Sequence, residues 1–494
     1  MIFLQALTAL ITMPFLTVIS TCLNESSRMI FDEPHYPDWL EEWWLDQVAV
    51  HTPQNQDDHD LDALAEEVQA LSDLFIRDEA NFAAYDKDPR QLLAYGLFFF
   101  PQTYVRVQWP LRELLAFRGW QPPLERPMRI LDLGSGLGSA SLGALDVLYQ
   151  YTASLDLPER PEFHLTAVDH ATHSLQWYNK LVQDLQEVWP RLTLRTRVDN
   201  LLRYGTLPPN WNPASSVPSE KKPRQGKHHQ KDHRKDRRKG ESQRDKRRPS
   251  RASTRSHNDV PPPAPQEEPW DLIVSSFALT EVFRGHSSEV MWTWIKGLLD
   301  RLSPDGILLI LEPASQDSCE RLEDLRNFTA QDEAYGIWGP CLHHQTCPLR
   351  QEGRAWCHEV RFWETPESLE YVNRRLFRAL QALKFGYLAL GHKRPKPKPP
   401  TNPTMRLIAP MSKQKGHWLT RGCTTEGQSI NLEIFTRDLD REQAQEIEQF
   451  HRGDIVEASN WEPRKRPQSY RLSPGARLAA RHPEDHTLEL EPSK

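Results

Sequence analysis

Alternating runs of apolar and polar residues divide the middle of the chain into predicted helices and strands. Apolar residues at three- and four-residue steps predict helices over 61–76 and 91–117. From residue 128 onward, short apolar runs predict strands that alternate with helical patterns. The predicted strands are 128–131, 164–168, 193–198, 270–275 and 306–311, and helices are predicted after the first strand and over 174–189 and 288–302. This alternation indicates parallel β-α-β units and a doubly wound α/β sheet.

The pattern after residue 312 differs, because cysteines and short β-like runs replace the alternation. An amphipathic helix is predicted over 366–383, an apolar strand over 385–390 and a β-rich segment over 405–435. The last forty or so residues, 456–494, are polar, and we expect them to be a disordered tail. At the other end, two helical segments precede the first strand, so 29–127 is interpreted as an N-terminal helical region that caps the sheet.

A basic segment interrupts the α/β pattern after its third strand. Residues 210–269 are rich in Lys, Arg, His, Ser and Pro and have almost no aliphatic side chains, which predicts a disordered insert within one domain. The stretch 219–258 has a net charge of +11, so the rest of the chain carries −18 of the overall −7. Such a segment can neutralise nucleic-acid phosphates, or it can be a solvated loop that contributes nothing. It has no aromatic residue for stacking on bases.

The first 23 residues are apolar and carry no charged side chain. They lack both the basic start of a secretory signal and the Arg-rich pattern of a mitochondrial presequence. We therefore keep three interpretations for the leader, 1–28: a membrane anchor, an atypical targeting segment, or sequence upstream of a later start such as Met29. Membrane association is expected only if the leader is a retained anchor.

A glycine-rich loop directly follows the first predicted strand and precedes a helix. It reads Asp132-Leu133-Gly134-Ser135-Gly136-Leu137-Gly138, a spacing at which the backbone can turn sharply and approach a ligand closely. Asp169 ends the next strand, where it could accept hydrogen bonds from ribose hydroxyls. A dinucleotide site would favour GxGxxG, whereas D-x-G-x-G-x-G resembles the first motif of class I S-adenosylmethionine-dependent methyltransferases, whose acidic position lies near the methionine end. A tight turn without a ligand is the third alternative.

The segment 271–281 lies where that fold places its fourth motif. It lacks the Asn-Pro-Pro-aromatic sequence of amino-methylating enzymes. The sequence therefore identifies no catalytic residue, and methyl transfer itself stays an open question.

Three cysteines are concentrated in 17 residues, and a fourth follows later. The spacing is Cys341-x5-Cys347-x9-Cys357, and 65 residues lie between Cys357 and Cys423. Four thiolates fit either tetrahedral zinc or an iron–sulfur cluster, and the wide gaps favour the cluster. His343, His344 and His358 are possible substitute ligands, although a solvated loop histidine is the favoured interpretation of each. Cys22 and Cys319 fall outside the set.

Several of these motifs together resemble one protein family. The motifs, in order, are the glycine loop, Gly339-Pro340-Cys341-Leu342-His343, Cys347-Pro348, Trp356-Cys357-His358, Lys384-Phe385-Gly386-Tyr387-Leu388 and the late Cys423. They are similar to the methyltransferase-like proteins of the small ribosomal subunit, which comprise mitochondrial small-subunit assembly factors and bacterial relatives. The similarity runs from about residue 61 to 454 without the basic insert.

The resemblance implies a class I methyltransferase fold over 128–335, followed by a Cys-rich, cluster-binding and β region over 336–455. It implies S-adenosylmethionine at Asp132, the three loop glycines and Asp169, and a [4Fe-4S] cluster, or zinc as the alternative, on Cys341, Cys347, Cys357 and Cys423. It also implies binding to small-subunit rRNA by a monomer, in the mitochondrial matrix of a eukaryote or the cytoplasm of a bacterium. Whether the fold retains methyltransferase activity is left open.

Overall fold

The computed structural model describes residues 31–51, 59–76, 86–155, 157–209, 211, 263–265, 267–353, 355–396 and 400–483. The predicted leader and almost all of the predicted basic insert lie outside these residues. Within the described ranges, every helix is too short or too polar to cross a lipid bilayer.

Three helices precede the first strand: α1 (Asp38–His51), α2 (His59–Ile76) and α3 (Pro89–Phe117). Asp88 begins α3, because its side chain accepts a hydrogen bond from the Arg90 amide and Pro89 occupies the first helical position. Almost every residue of α3 from Leu92 to Ala116 is buried. Two of the three helices were predicted from apolar periodicity, and their bounds agree with the prediction to within two residues.

The central part of the chain forms the first sheet and its helices. In chain order the elements are β1 (Met128–Leu133), α4 (Ser139–Ser154), β2 (Phe163–Asp169), α5 (Thr172–Asp184), β3 (Leu192–Val198), β4 (Trp270–Ser276), α6 (Leu279–Val282), α7 (Ser288–Leu299), β5 (Leu302–Pro313), α8 (Gln316–Gln331), β6 (Gly336–Gly339), α9 (Pro348–Glu352), β7 (Glu359–Phe362), α10 (Glu367–Arg375) and β8 (Ala382–Gly391).

The order of strands in this sheet is β3-β2-β1-β4-β5-β8-β6, and β7 pairs with the other end of β8. Strands β1 to β5 are mutually parallel, whereas β8 runs antiparallel to β5, β6 and β7. The strand order reverses between β1 and β4, which is where doubly wound sheets bind ligands at the carboxyl ends of their strands. The predicted doubly wound α/β sheet is confirmed.

The C-terminal part forms a second, mainly antiparallel sheet. Its elements are β9 (Thr404–Leu407), β10 (Ser412–Gln414), β11 (His417–Thr424), β12 (Ser429–Phe435), α11 (Arg441–Glu448), β13 (Ile455–Ala458), β14 (Trp461–Pro463), β15 (Ser469–Leu472) and β16 (Leu478–Arg481). The strand order is β14-β15-β12-β11-β9-β13-β16, and β10 pairs with β11. Alternate residues of β11 and β12 are buried, and they form a small core of their own.

The structure corrects the prediction of a disordered tail over 456–494. Residues up to 483 are described, and β13, β14, β15 and β16 place 455–481 in the second sheet. Leu472 and Leu478 are buried in its core. These strands are only three or four residues long and mostly polar on their exposed side, so their sequence lacks the apolar runs that predict strands.

Two predicted boundaries also prove wrong. The helix expected over 366–383 ends at Arg375, because Phe377 adopts a left-handed backbone with φ of 53° and Leu383 already belongs to β8. The predicted insert, 210–269, extends too far at its C-terminal end. Ala264 is buried and its amide donates to the Arg203 carbonyl at 2.7 Å, while Glu267 pairs with Arg197.

Candidate functional site

The glycine loop connects β1 to α4 at the point where the strand order reverses. Gly134, Gly136 and Gly138 have φ values of 77°, 52° and 87°, a left-handed region that side-chain-bearing residues rarely adopt. The loop is fixed to β2, because the Gly134 amide donates to the Val168 carbonyl at 2.9 Å. The sharp turn predicted from the glycine spacing is therefore present, and its left-handed backbone explains why glycine occupies these positions.

The three glycines face different surroundings. A Cβ atom on Gly138 would lie 2.2 Å from the Tyr178 ring, and one on Gly134 would lie 2.6 Å from the Ala278 Cβ. These two glycines allow the loop to pack against the domain. Around Gly136 no atom of the described residues lies within 4 Å of such a Cβ, so this is the glycine whose open side a ligand can approach.

Asp169 lies beside the loop, at the end of β2, and only 7% of its surface is exposed. Its carboxylate accepts hydrogen bonds from the Gly136 amide at 2.8 Å and from the Ala171 amide at 2.9 Å, and His170 Nδ1 lies 3.2 Å away. The structure thus brings together the two residues that the sequence proposed for the loop and the ribose. In this arrangement Asp169 fixes the conformation of Gly136, and its role toward a ribose stays a prediction.

Asp132 lies below the loop and is completely buried. Its Oδ2 accepts a hydrogen bond from the Ser141 hydroxyl, which lies 2.8 Å from the Tyr178 hydroxyl, while its Oδ1 has no partner. Burial disfavours the charged carboxylate and raises the pKa of Asp132 to about 7. Asp132 therefore supports the loop from inside the domain.

Replacing Asp132 with asparagine is expected to make stability less dependent on pH. A carboxyl whose pKa is higher in the folded chain stabilises the fold while protonated, and that contribution is lost as the pH rises from about 4 to about 7. Each such group contributes at most about 1.4 kcal/mol per pH unit. Denaturant unfolding between pH 5 and 8 should give a shallower slope for Asp132→Asn. Asp305→Asn, at an exposed carboxylate, is the control, and equal slopes for both variants would contradict the expectation.

The four cysteines of the predicted metal set lie where the two sheets meet. Cys341, Cys347 and Cys357 belong to the connection between β6 and β7, which follows the outer edge of β8, and Cys423 lies on β11 of the second sheet. All four line one cavity, together with the buried Cys319. The structure therefore brings together the four residues that the sequence singled out, although 65 residues separate the last two.

Polar side chains contact these thiols directly. Arg326 on α8 donates from Nε to the Cys341 sulfur at 3.3 Å, and His343 Nε2 lies 3.2 Å from the Cys423 sulfur. The backbone amides of Cys347 and Cys357 donate to Asn327 at 2.8 Å and Glu323 at 2.7 Å. The connection is thus fastened to α8 on both sides of α9. His344 has no hydrogen-bond partner on either ring nitrogen, and His358 has none on Nδ1.

The electrostatics of the cavity keep the thiols of Cys347, Cys357 and Cys423 protonated in the absence of a metal. Burial, followed by the neighbouring Cys341, raises the pKa of Cys347 to about 12. Burial, Cys341 and Cys347 likewise raise the pKa values of Cys357 and Cys423. A metal would have to displace these protons, as thiolate coordination generally does.

The described side chains form no preorganised site for a single metal ion. Among them, no group of three or more His, Cys, Asp or Glu side chains is arranged so that it could hold one. The four thiols nevertheless line the same cavity. A single zinc ion and a cluster need different arrangements of the thiolates. Zinc needs all sulfurs about 2.3 Å from one point, whereas a multi-atom cluster has a separate iron for each thiolate. The four thiols fit a cluster in number and chemistry.

A buried network of charges joins the cavity to the rest of the chain. Arg406 on β9 forms ion pairs with Glu113 on α3 and, at 3.4 Å, with Glu359 on β7. It also donates to the Pro340 carbonyl at 2.7 Å and the Gly453 carbonyl at 2.6 Å. Arg361 extends the network to Asp454. One side chain thus holds together the helical region, the Cys-rich connection and the second sheet.

Two further arginines hold the Cys-rich connection through its backbone. Arg118 donates to the carbonyls of Trp338 at 2.8 Å and Cys341 at 3.2 Å, and Arg452 donates to those of Trp356 and His358. The sequence analysis identified none of the four arginines that contact the connection, Arg118, Arg326, Arg406 and Arg452. No local sequence pattern reveals these arginines, because each comes from a different element and reaches the connection only in the folded chain.

Part of the chain is similar to a known protein family. Residues 231–456 match the family model described as mitochondrial small ribosomal subunit Rsm22. This match covers just under half of the chain and includes all four cysteines of the predicted set. No curated protein sequence matches the chain.

The solved structures similar to this chain include several methyltransferases. A putative class I S-adenosylmethionine-dependent methyltransferase from Listeria monocytogenes is 13% identical, with 74% of this chain and 91% of that chain covered and a TM-score of 0.32. The plantazolicin methyltransferase BpumL in complex with SAH is 11% identical, with 67% and 100% covered and a TM-score of 0.27.

An S-adenosylmethionine-dependent methyltransferase from Clostridium acetobutylicum is 11% identical, with 38% of this chain covered and a TM-score of 0.18. The chain spans 44% of the length of that protein. Because these superpositions are loose, the fold is identified from the strand order, the single reversed strand β8 beside β5 and the glycine loop after β1. These are the features of a class I methyltransferase fold. The family-model match over residues 231–456 agrees with the resemblance to the methyltransferase-like proteins of the small ribosomal subunit that the motifs predicted.

Proposed function

We propose that this protein is an assembly or translation factor of the small ribosomal subunit that binds S-adenosylmethionine at the glycine loop and carries a [4Fe-4S] cluster on Cys341, Cys347, Cys357 and Cys423. The observation that carries the proposal is that a segment similar to a small-subunit protein family contains four cysteines from two sheets, all of which line one cavity. We further propose that it binds rRNA as a monomer, in mitochondria if the source is a eukaryote.

The metal content of anaerobically purified protein tests the cluster. About four iron and four labile sulfide per chain, with absorbance near 400 nm that bleaches on reduction, is the result expected for [4Fe-4S]. Stoichiometric zinc without sulfide would replace the cluster with a structural zinc site, which is the alternative metal.

Replacing Cys347 with serine is expected to abolish iron binding and to destabilise the C-terminal half, since the metal bonds join two sheets that share little other core. Cys319→Ser is the matched control, because Cys319 is a buried thiol on the same cavity outside the proposed set. Iron analysis and limited proteolysis of both variants provide the measurement. Loss of iron from Cys319→Ser with retention in Cys347→Ser would show that the set is wrongly chosen.

Binding of the cosubstrate is tested with Gly136→Arg. The side chain would project into the open side of the loop, so calorimetric binding of S-adenosylhomocysteine should be lost, while the melting temperature should fall only by the few degrees that left-handed strain of about 1–2 kcal/mol causes. Retained binding in this variant would remove the glycine loop from the proposal.

An active rRNA methyltransferase is the second candidate, and it is favoured by the left-handed glycine loop that leaves Gly136 open. Its chain residues would bind and orient the cosubstrate, since the methyl sulfonium is already a good electrophile and positioning supplies most of the catalysis. Mapping of rRNA methylation in cells that lack the gene decides between the candidates. A modification that is restored by the wild type, and not by Gly136→Arg, would establish the enzyme.

Association with the ribosome is tested by co-sedimentation with small subunits over a series of salt concentrations. Deletion of 219–258, which removes a net charge of +11, should reduce the salt dependence if the basic insert contacts phosphates. An unchanged dependence would exclude the insert from the binding surface.

A further inference from the structure

Helix α3 packs against α4, the helix that follows the glycine loop, and carries a cation, Arg106. Arg106 stacks over the Phe277 ring, with its guanidinium carbon 5.2 Å from the ring centre. Phe277 follows β4 directly, and its neighbour Ala278 is the residue that the Gly134 backbone approaches. Arg106 therefore lies on the β4 side of the loop, whereas Asp169 lies on its β2 side.

Arg106 lacks an anionic partner among the described residues. Its Nη2 donates to the neutral Gln102 side chain at 3.0 Å, and its Nε is buried without a hydrogen-bond partner. Burial lowers the pKa of Arg106 to about 10, and the one group that acts against this is the Tyr95 phenol. A guanidinium that is half-buried with an unsatisfied N–H is costly unless an anion joins it.

Tyr95 connects Arg106 electrostatically to the residues beside the loop. It lies about three turns before Arg106 on the same face of α3, and its pKa is raised to about 12 by burial and then by Asp169, with Arg106 and Glu281 also acting on it. The phenol therefore lies within electrostatic reach of groups on both sides of the loop. Burial raises the pKa of Glu281 to about 6, and His170 and Asp169 also act on it, so Glu281 lies within electrostatic reach of the residues at the end of β2.

We propose that Arg106 binds the α-carboxylate of the amino-acid end of S-adenosylmethionine, so that the N-terminal helix α3 forms one wall of the cosubstrate site. This assignment rests on the proposed function at the glycine loop. A ligand in a doubly wound sheet lies across the switch point. With its ribose on the Asp169 side, its other end extends toward β4, where the free guanidinium N–H groups can bind a carboxylate in a charge-assisted, two-point contact.

A carboxylate at the end of a small ligand fits this position better than a backbone phosphate of RNA. The Arg106 Nε is enclosed between α3 and the residues after β4, and a phosphate in a polymer carries flanking sugars that such an enclosed site would exclude. RNA contact at Arg106 is therefore an outcome that the test must reveal as a failure of the assignment.

The assignment is tested by comparing two ligands on the full-length protein. S-adenosylhomocysteine carries the carboxylate, whereas 5′-methylthioadenosine shares the adenosine and thioether and lacks the amino-acid end. Calorimetric titration of Arg106→Met should show binding of S-adenosylhomocysteine weakened by about 10- to 100-fold, because hydrogen bonds to charged groups are strong. Binding of methylthioadenosine should change less than about threefold. Arg106→Lys, which retains the charge without the planar fork, should recover part of the difference.

The possible results are distinct. Equal weakening of both ligands, or unchanged binding of S-adenosylhomocysteine by an Arg106→Met protein with the wild-type circular dichroism spectrum, would overturn the assignment and leave the glycine-loop site intact. A wild-type protein that binds neither ligand would overturn the proposed cosubstrate site and the assignment with it. Weakened RNA binding with unchanged S-adenosylhomocysteine binding would transfer Arg106 to an RNA surface and also overturn the assignment.

Discussion

Replacing Arg406 with methionine is expected to lower the free energy of unfolding by about 3–5 kcal/mol, the usual cost of removing one partner from a buried ion pair. Arg406 is 2% exposed, and its loss leaves the carboxylates of Glu113 and Glu359 without their shared cation. Two backbone carbonyls, those of Pro340 and Gly453, lose their donor at the same time. Denaturant unfolding followed by tryptophan fluorescence measures the effect.

An exposed ion pair provides the control for Arg406. Lys393 and Asp305 lie 2.8 Å apart with most of both side chains in solvent, so Lys393→Met should cost less than about 1 kcal/mol. If Arg406→Met were no more destabilising than Lys393→Met, the buried network would contribute little to joining the two sheets. Because Arg406 contacts three parts of the chain, the transition should also become broader as the second sheet unfolds earlier.

The second large effect is expected at Gly138. Alanine there would place a methyl group about 2.2 Å from the Tyr178 ring and force a side-chain-bearing residue into φ of 87°. Left-handed strain of about 1–2 kcal/mol and overpacking of about 1–3 kcal/mol predict a total loss of about 2–5 kcal/mol. Thermal unfolding measured by circular dichroism, together with chemical denaturation, is the appropriate measurement.

Gly136→Ala is the matched control for Gly138→Ala. Gly136 has a similar left-handed backbone but no neighbour within 4 Å of an added Cβ, so only the strain of about 1–2 kcal/mol remains. The difference between the two alanine variants therefore isolates the contact with Tyr178. Equal losses of stability in both variants would mean that the Tyr178 ring moves away without cost and that its contact with Gly138 does not stabilise the loop.

Much of the fold could be predicted because its signals are local. The strands β1, β2, β4 and β5 are almost entirely buried, so they appear in the sequence as continuous apolar runs, and the glycine loop marks the turn that follows the first. The short strands β14 to β16 escaped prediction because few of their residues are fully buried. In addition, β15 and β16 pair with strands that lie further back in the sequence, β12 and β13. The helix α10 was predicted too long because apolar spacing continues through Leu380, past the left-handed Phe377.

The candidate site also contains residues that local sequence patterns identify and residues that they do not. The cysteines could be listed from their spacing, since the residue type itself indicates metal chemistry. Their convergence on one cavity with Arg326 and Arg406 depends on packing between α8, β9 and β11, which no local pattern records. Arg106 is the extreme case, because in sequence it is one polar residue on a largely apolar helix.

The anchoring of Ala264 has a consequence for how the chain tolerates its basic insert. The Ala264 amide bonds to the Arg203 carbonyl at 2.7 Å, and Arg301 donates to the Ala264 carbonyl at 3.2 Å, so the chain re-enters the domain close to the end of β3 where it left. The entropy of closing a loop grows only with the logarithm of its length, by about 0.6 kcal/mol for each doubling. Tyr204 is buried and Trp211 stacks on His286, so the free part of the segment begins after Trp211. Insertions and deletions over 212–262 are therefore expected to cost the sheet little, and the length of this segment can vary without altering either the glycine loop or the cysteine cavity.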